Sequence, residues 1–275
     1  MWLVNQAVGF IVKIALWPFI RLNPWAGMTF LSFLTALLVL FIYKKTSNQA
    51  AISQVKNQLK AHLLEMRLFQ NDYRTILTTQ KELLLANARY LILNLKPLLI
   101  MIIPVFLLLA QMNLWFNYRP VEPGETLLLK VRFINQMEVD RLNLNLEVPP
   151  EVTIDSPVLR IIDENEADWR LKIEGQSSQP LVIVVDGERY LKDIVIDGKS
   201  RQRISPRRDR RNLWLELLYP GEKPLPANSY IKEIELNYPL QRLDFLGIKI
   251  HWLVAYFLLS LIIGFALKKP LKVEI

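Results

Sequence analysis

The chain alternates between long uncharged apolar runs and stretches whose apolar positions recur at short, regular steps. The run MTFLSFLTALLVLFIY, Met28 to Tyr43, carries no charge and extends back to Pro24. With its flanks it reaches the roughly 20 residues that a bilayer requires. Lys44 and Lys45 close it. A second run, PLLIMIIPVFLLLAQMNLWF, spans Pro97 to Phe116. Pro104 should kink it, which a membrane helix tolerates. Gln111 and Asn113, near Trp115 and Tyr118, read as interfacial. A third run covers Ile248 to Leu267.

The N-terminal segment, Trp2 to Ile20, differs. Asn5, Gly9 and Lys13 recur every fourth residue, with Gln6 beside them, so they share one helical stripe. Trp2 and Trp17 bracket it. The pattern predicts an amphipathic helix over 1–22 lying in the membrane interface, with a true span as the competing reading.

Between the first two runs the period becomes helical and two-faced. Ile52, Val55, Leu59, Leu63, Met66 and Phe69 follow three- and four-residue steps, with Lys56, Lys60 and Arg67 among them. Gln70-Asn71-Asp72 reads as a turn. A second helix runs on from about Arg74. The segment 44–96 thus predicts a coiled-coil hairpin, with one long bent helix as the alternative.

From 117 to 247 the period falls to two. Strands are predicted at 126–134, 142–148, 169–173, 181–185, 190–196, 213–219 and 230–238. Turn signals such as Pro149-Pro150, Asp186-Gly187, Asp197-Gly198 and Pro220-Gly221 separate them. Such a series suggests an antiparallel β-sandwich, immunoglobulin-like in the loose sense.

Charge then orients the elements. The segment 44–96 holds nine basic residues, Lys44, Lys45, Lys56, Lys60, Arg67, Arg74, Lys81, Arg89 and Lys96, against Glu65, Asp72 and Glu82. A basic excess between two spans marks the cytosolic side. The tail 268–275 is basic too. The predicted order is an interfacial helix (1–22), a span (24–43), a cytosolic hairpin (44–96), a span (97–116), an extracytosolic β-domain (117–247), a span (248–267) and a cytosolic tail. The fold class is therefore a membrane protein, α plus β, with three transmembrane helices.

Composition changes this picture little. The chain has 275 residues and a mean hydropathy of +0.20, as a mosaic of lipid and water segments would give. Cysteine is absent, which excludes disulfides and thiolate metal sites. The two histidines, His62 and His251, lie far apart in sequence, which argues against a histidine-built metal centre. No cleavable leader is expected, because no basic n-region precedes the first apolar residues.

Candidate chemistry is sparse. No nucleophile elbow, zincin helix, phosphate loop or other catalytic motif occurs, so no enzyme activity and no cofactor is expected. Thr29, Ser32 and Thr35 recur every three residues on the first span. They read either as a seam for close helix packing or as one wall of a polar groove. Arg21, between Pro18 and Pro24, reads either as a snorkelling side chain or as a functional intramembrane charge. Asp163, Glu164, Glu166 and Asp168 read as a solvated turn, with a calcium loop as the remote alternative. The run KSRQRISPRRDRR, with Arg203, Arg207, Arg208, Arg210 and Arg211, reads as a solvated loop or as a surface for anionic lipid or an acidic partner. It lacks interleaved aromatics, so nucleic acid is not expected as its partner.

LWPFIRLNPW, the hairpin sequence QVKNQLKAHLLEMRLFQND and the second span together make Leu16 to Phe116 resemble the YidC/Oxa/Alb membrane-insertase superfamily. The stretches SNQAAISQVKNQLKAHLLEMRLFQND and LLLAQMNLWFNYRPVEPGE are similar to bacterial membrane proteins of the same layout. The resemblance implies residence in a bacterial inner membrane and a groove that receives the hydrophilic part of a substrate helix. In that reading Arg21, Thr29, Ser32 and Thr35 line the groove. Lys56, Lys60, Arg67 and Arg74 on the hairpin meet nascent membrane proteins or the ribosome. Two features depart from the family. Arg21 precedes the span in which bacterial members carry their cation, and the β-domain lies between the second and third spans. A structural subunit of an envelope complex, using the β-domain to hold a partner, is the alternative.

Overall fold

Apolar side chains cover most of the outward side of the first helix, Asn5 and Gly9 point inward, and Lys13 is exposed. This helix, α1 (Trp2–Leu16), buries Asn5, Gly9, Val12 and Leu16, while Leu3, Phe10, Ile11 and Ile14 are exposed. A short 3-10 turn (Trp17–Phe19) follows. Of the polar stripe expected to meet water, Asn5 and Gly9 therefore form an inner face, while Lys13 stays exposed. Such an inside-out helix suits apolar surroundings, where only contacts within the protein can satisfy polar groups.

The structure, a computed structural model, describes residues 2–134, 138–176, 179–196, 202–245 and 247–274. The expected turn at Asp197-Gly198 and the start of the basic run, Lys199 to Arg201, lie outside the described residues. The chain forms two compact units. One comprises Met1–Gly27 with Leu107–Ala255, the other Met28–Phe106 with Tyr256–Ile275.

Four more helices follow in order. These are α2 (Pro24–Thr46), α3 (Gln49–Leu68), α4 (Tyr73–Phe116) and, beyond the strands, α6 (Trp252–Lys268), with a short α5 (Leu213–Leu218) inside the β-region. Among the described residues, three helices are long and apolar enough to cross a membrane: Trp2–Phe19, Pro24–Thr46 and Tyr73–Phe116. The count matches expectation, but the members differ. The last apolar run does not start at Ile248. Residues Ile248–Ile250 form a strand, and α6 keeps only 17 residues. The second hairpin helix and the second span are also one unbroken helix, 44 residues long, with Pro97 and Pro104 inside it.

Among the described residues the β-region has eleven strands. They are β1 (Thr126–Phe133), β2 (Leu144–Glu147), β3 (Val152–Ile154), β4 (Leu159–Ile161), β5 (Glu166–Ile173), β6 (Leu181–Val185), β7 (Glu188–Lys192), β8 (Arg207–Asp209), β9 (Ile231–Leu236), β10 (Leu243–Phe245) and β11 (Ile248–Ile250). One antiparallel sheet has the order β3-β5-β1-β9-β8, with β4 also on β5; a second has the order β2-β6-β7. Alternation drives both into one core. Leu127, Leu129, Val131 and Phe133 of β1 and Trp169 and Leu171 of β5 share it with Leu181, Ile183 and Val185 of β6.

Two sequence expectations fail in this region. The strand expected at 213–219 is helix α5. Asn212 caps it by accepting a hydrogen bond from the Trp214 amide at 3.0 Å, and Pro220 follows its end. LWLELL is rich in helix-forming Leu, and its spacing does not alternate. The basic run is not wholly a loop either, since Arg207–Asp209 is an edge strand on β9.

Candidate functional site

The groove candidates do not share one surface of α2. Thr29 is exposed, whereas Ser32 and Thr35 are buried. Three-residue steps drift about 60° around a helix, so the first and third of these hydroxyls diverge by about 120°. Thr35 Oγ1 donates to Leu31 O at 2.7 Å, and the Tyr256 hydroxyl of α6 faces Thr35 and Ser260. Arg21, in the other unit, is exposed in the loop before Pro24. The unit that holds most of α2 contains instead an apolar cavity of about 840 Å³, lined by Leu37, Leu40, Phe41, Leu271 and Val273, with Lys44 and Lys45 among its walls.

In the hairpin, α3 and α4 join through the turn at 69–72. Asp72 caps α4, its carboxylate accepting from the Arg74 amide at 3.0 Å and from the Thr75 hydroxyl at 2.7 Å. Ile52 and Val55 are buried near the base, but the apolar face opens toward the turn. Leu63, Leu64, Leu68, Phe69, Tyr73 and Leu77 are all exposed. Lys60, Arg67 and Arg74 are exposed as well. Lys56 is bound to the tail, its Nζ 2.8 Å from Glu274 Oε2. That contact holds the Glu274 carboxyl below its usual range.

The polar face of α1 meets a buried seam. Asn5 Nδ2 donates to Glu216 O at 2.6 Å, and Gln111 Nε2 donates to Asn5 O at 2.9 Å. Arg203 donates to Pro220 O at 2.7 Å and to Gln111 Oε1 at 3.3 Å. Gly9 gives Gln111 its room, since a Cβ there would sit 2.9 Å from Oε1. Burial pushes the Arg203 guanidinium below its usual value, with Glu222 opposing. Sequence reasoning placed Gln111 at the interface and Arg203 on an outer surface. The four-residue step of Asn5 and Gly9 was the available signal, but it marks an inner face.

The rest of the basic run also turns inward. Arg207 pairs with Asp209 at 2.6 Å and Glu233 at 2.5 Å and lies over the Tyr219 ring. Arg208 donates to Lys223 O at 2.8 Å and to Leu191 O, and Arg210 donates to Ala227 O. Of the five candidates for an anionic surface, Arg211 alone keeps an exposed side chain (75%). These guanidiniums bond carbonyls and carboxylates of their own domain.

Glu166 and Asp168 are not in a solvated turn. They lie buried on β5, facing Lys130 and Arg132 of β1. Lys130 is 3.0 Å from Glu166, and Arg132 bridges Glu166 at 2.7 Å and Glu233 of β9 at 2.6 Å. With Arg207 and Asp209 of β8 this makes an ionic ladder across four strands, on the sheet face opposite the core. Lys130 and Arg132 hold Glu166 low against burial, which would raise it. Burial, with the Glu166 charge added, pushes Asp168 up to about 6; Lys130, at 3.8 Å, opposes this.

Comparison of the chain with family models, with curated proteins and with solved structures finds no match.

The raised Asp168 predicts a pH dependence. An ordinary Asp ionises near 3.9, so below about pH 4 the group is protonated in both the folded and the unfolded chain. As pH rises through 6 the folded form must ionise in a buried site, and stability falls. Asp168→Asn should therefore stabilise the β-domain by about 1–2 kcal/mol above pH 7 and by little at pH 4. Hydrogen exchange of β5 amides in wild type and variant at both pH values reads this difference. A gap that does not change with pH would refute it.

Proposed function

We propose that this chain is an insertase-like or chaperone-like membrane protein that assists the insertion or assembly of membrane helices. The observation that carries the reading is the apolar row Leu63, Leu64, Leu68, Phe69, Tyr73 and Leu77, exposed around the turn of the hairpin with Arg67 and Arg74 beside it. Exposed contiguous apolar surface marks a binding site. An apolar row edged by cations suits nascent membrane segments, which are apolar and often end in polar groups.

In this reading the hairpin is a cytosolic coiled coil, as its excess of basic residues supports. The membrane is the bacterial inner membrane, and the immunoglobulin-like sandwich lies outside. The receiving surface is the hairpin together with the lysine-edged apolar cavity at the end of α2. It is not a polar wall of Thr29, Ser32 and Thr35.

A photo-crosslinking residue at Leu68 or Leu77 tests this in living cells. Adducts to many nascent membrane proteins are expected. Absence of adducts at both positions would refute the proposal.

The second reading is a structural subunit that holds an envelope partner through its β-domain. The seam of Asn5, Gln111 and Arg203 favours it. This seam fastens two apolar helices to the β-domain, as a rigid anchor would require. One stoichiometric partner in the crosslinking experiment would select this reading.

A further inference from the structure

We infer that the hairpin carries a binding site for a first-row divalent cation such as zinc, made by His62 and Glu65 of α3 and Glu82 of α4. One ligand atom from each residue lies within 4.8 Å of the other two. His62 and Glu65 stand at i and i+3, neighbours on one helix face. Glu82 reaches them from the other arm, across the turn.

The distances suit a small cation. Glu65 Oε2 is 3.4 Å and Glu82 Oε2 is 3.5 Å from the same atom, His62 Nδ1. Both exceed the usual N–H···O range, which ends near 3.2 Å. Nδ1 carries at most one hydrogen, so a proton there can serve only one of the two carboxylates. A cation placed between all three would satisfy both carboxylates and the ring nitrogen at once. Zinc bonds to nitrogen and oxygen are about 2.0–2.2 Å long, so two ligands of a tetrahedral ion stand about 3.3 Å apart. The observed 3.4 and 3.5 Å match that edge. One imidazole with two carboxylates suits zinc and its neighbours better than calcium or magnesium, which prefer oxygen alone.

Side-chain exposures of 22%, 40% and 51% for His62, Glu65 and Glu82 leave a path for the ion and a coordination position for water. The ion would staple α3 to α4 at the base of the exposed apolar row, beside Leu63 and Leu64. His251 lies far along the sequence, but a site with one histidine needs no second. Glu82 joins it only through the register of the hairpin.

The test is zinc titration of the full-length protein in detergent against a chromophoric indicator, using a purification tag without histidine. Wild type should bind one zinc per chain. His62→Ala and Glu82→Gln should each weaken binding at least tenfold. Hydrogen exchange of the arm on both sides of the turn should slow with zinc in wild type only. Both variants alter partly exposed side chains, so folding is preserved and a loss is readable. Equal binding by wild type and both variants, or no binding by wild type, would overturn the site.

Discussion

Arg132→Met is expected to destabilise the β-domain by about 2–4 kcal/mol, the range for removing one partner from a buried ion pair, lowered because this guanidinium is partly exposed. The cost comes from what remains. Arg132 is 34% exposed at its side chain, but the two carboxylates it joins are not: Glu166 is 1% exposed and Glu233 6%. Without the guanidinium, Glu233 is left with Arg207, and Glu166 with Lys130 and its hydrogen bond to Asp168. Methionine preserves the aliphatic stem against the sheet, so the loss reports charge rather than packing. Hydrogen exchange of β1, β5 and β9 amides in the detergent-solubilised full chain measures it. Protection should fall about 30- to 1,000-fold, since each 1.4 kcal/mol is a factor of ten. Adding Glu166→Gln should recover part of that loss. A fall of less than threefold would mean that water already serves these carboxylates.

The ladder and the seam also explain which parts of the fold the sequence exposed. The apolar helical runs of α2 and α4, long enough to cross a membrane, were legible because uncharged runs of that length have few other uses. Strand β6 was legible as a short, wholly apolar, mostly β-branched run at the expected residues, 181–185, and β1 because Lys130 and Arg132 alternate with apolar residues. What misled was polarity that serves the interior. A basic run reads as solvated surface, yet Arg203, Arg207, Arg208 and Arg210 all find acceptors inside the domain. Glu166 and Asp168 read as a loop because their partners, Lys130 and Arg132, lie more than 30 residues earlier and meet them only through strand pairing. Asn5 and Gly9 read as a wet stripe because the residues that dry it, Gln111 and Arg203, come from distant segments. In each case the local pattern was sound. The side on which water lies was set by long-range pairing, which periodicity alone does not carry. Candidate sites suffer most from this, since a site is defined by neighbours distant in sequence. Glu82 beside His62 is a further instance.

Lys192→Met separates stability from specification at the most buried ion pair. Lys192, at the end of β7, is 0% exposed; its Nζ donates to Ser205 O at 2.7 Å and to Glu222, whose side chain is 8% exposed. Alternation on β7 places residue 192 on the inner face beside Tyr190, so the strand register itself carries the ammonium into the interior. Removing it strands the Glu222 carboxylate and the Ser205 carbonyl, and the expected loss is about 3–5 kcal/mol. The double variant Lys192→Met/Glu222→Leu removes both charges and should recover most of that loss, because an apolar pair of similar volume is often as stable as the ion pair it replaces. Unfolding of the two full-length variants by denaturant, followed through hydrogen exchange of β6 and β7, gives both values. If the double variant is stable but β7 amides exchange unevenly or in a shifted pattern, the pair serves to fix the register of an edge strand. A one-residue slip of β7 would bury Leu191 in place of Lys192 and would otherwise be favoured by hydrophobicity alone. If the double variant is both stable and uniform, the register is held by the β6 pairing from Leu181 to Val185. A single variant that loses less than about 1 kcal/mol would contradict the burial argument itself.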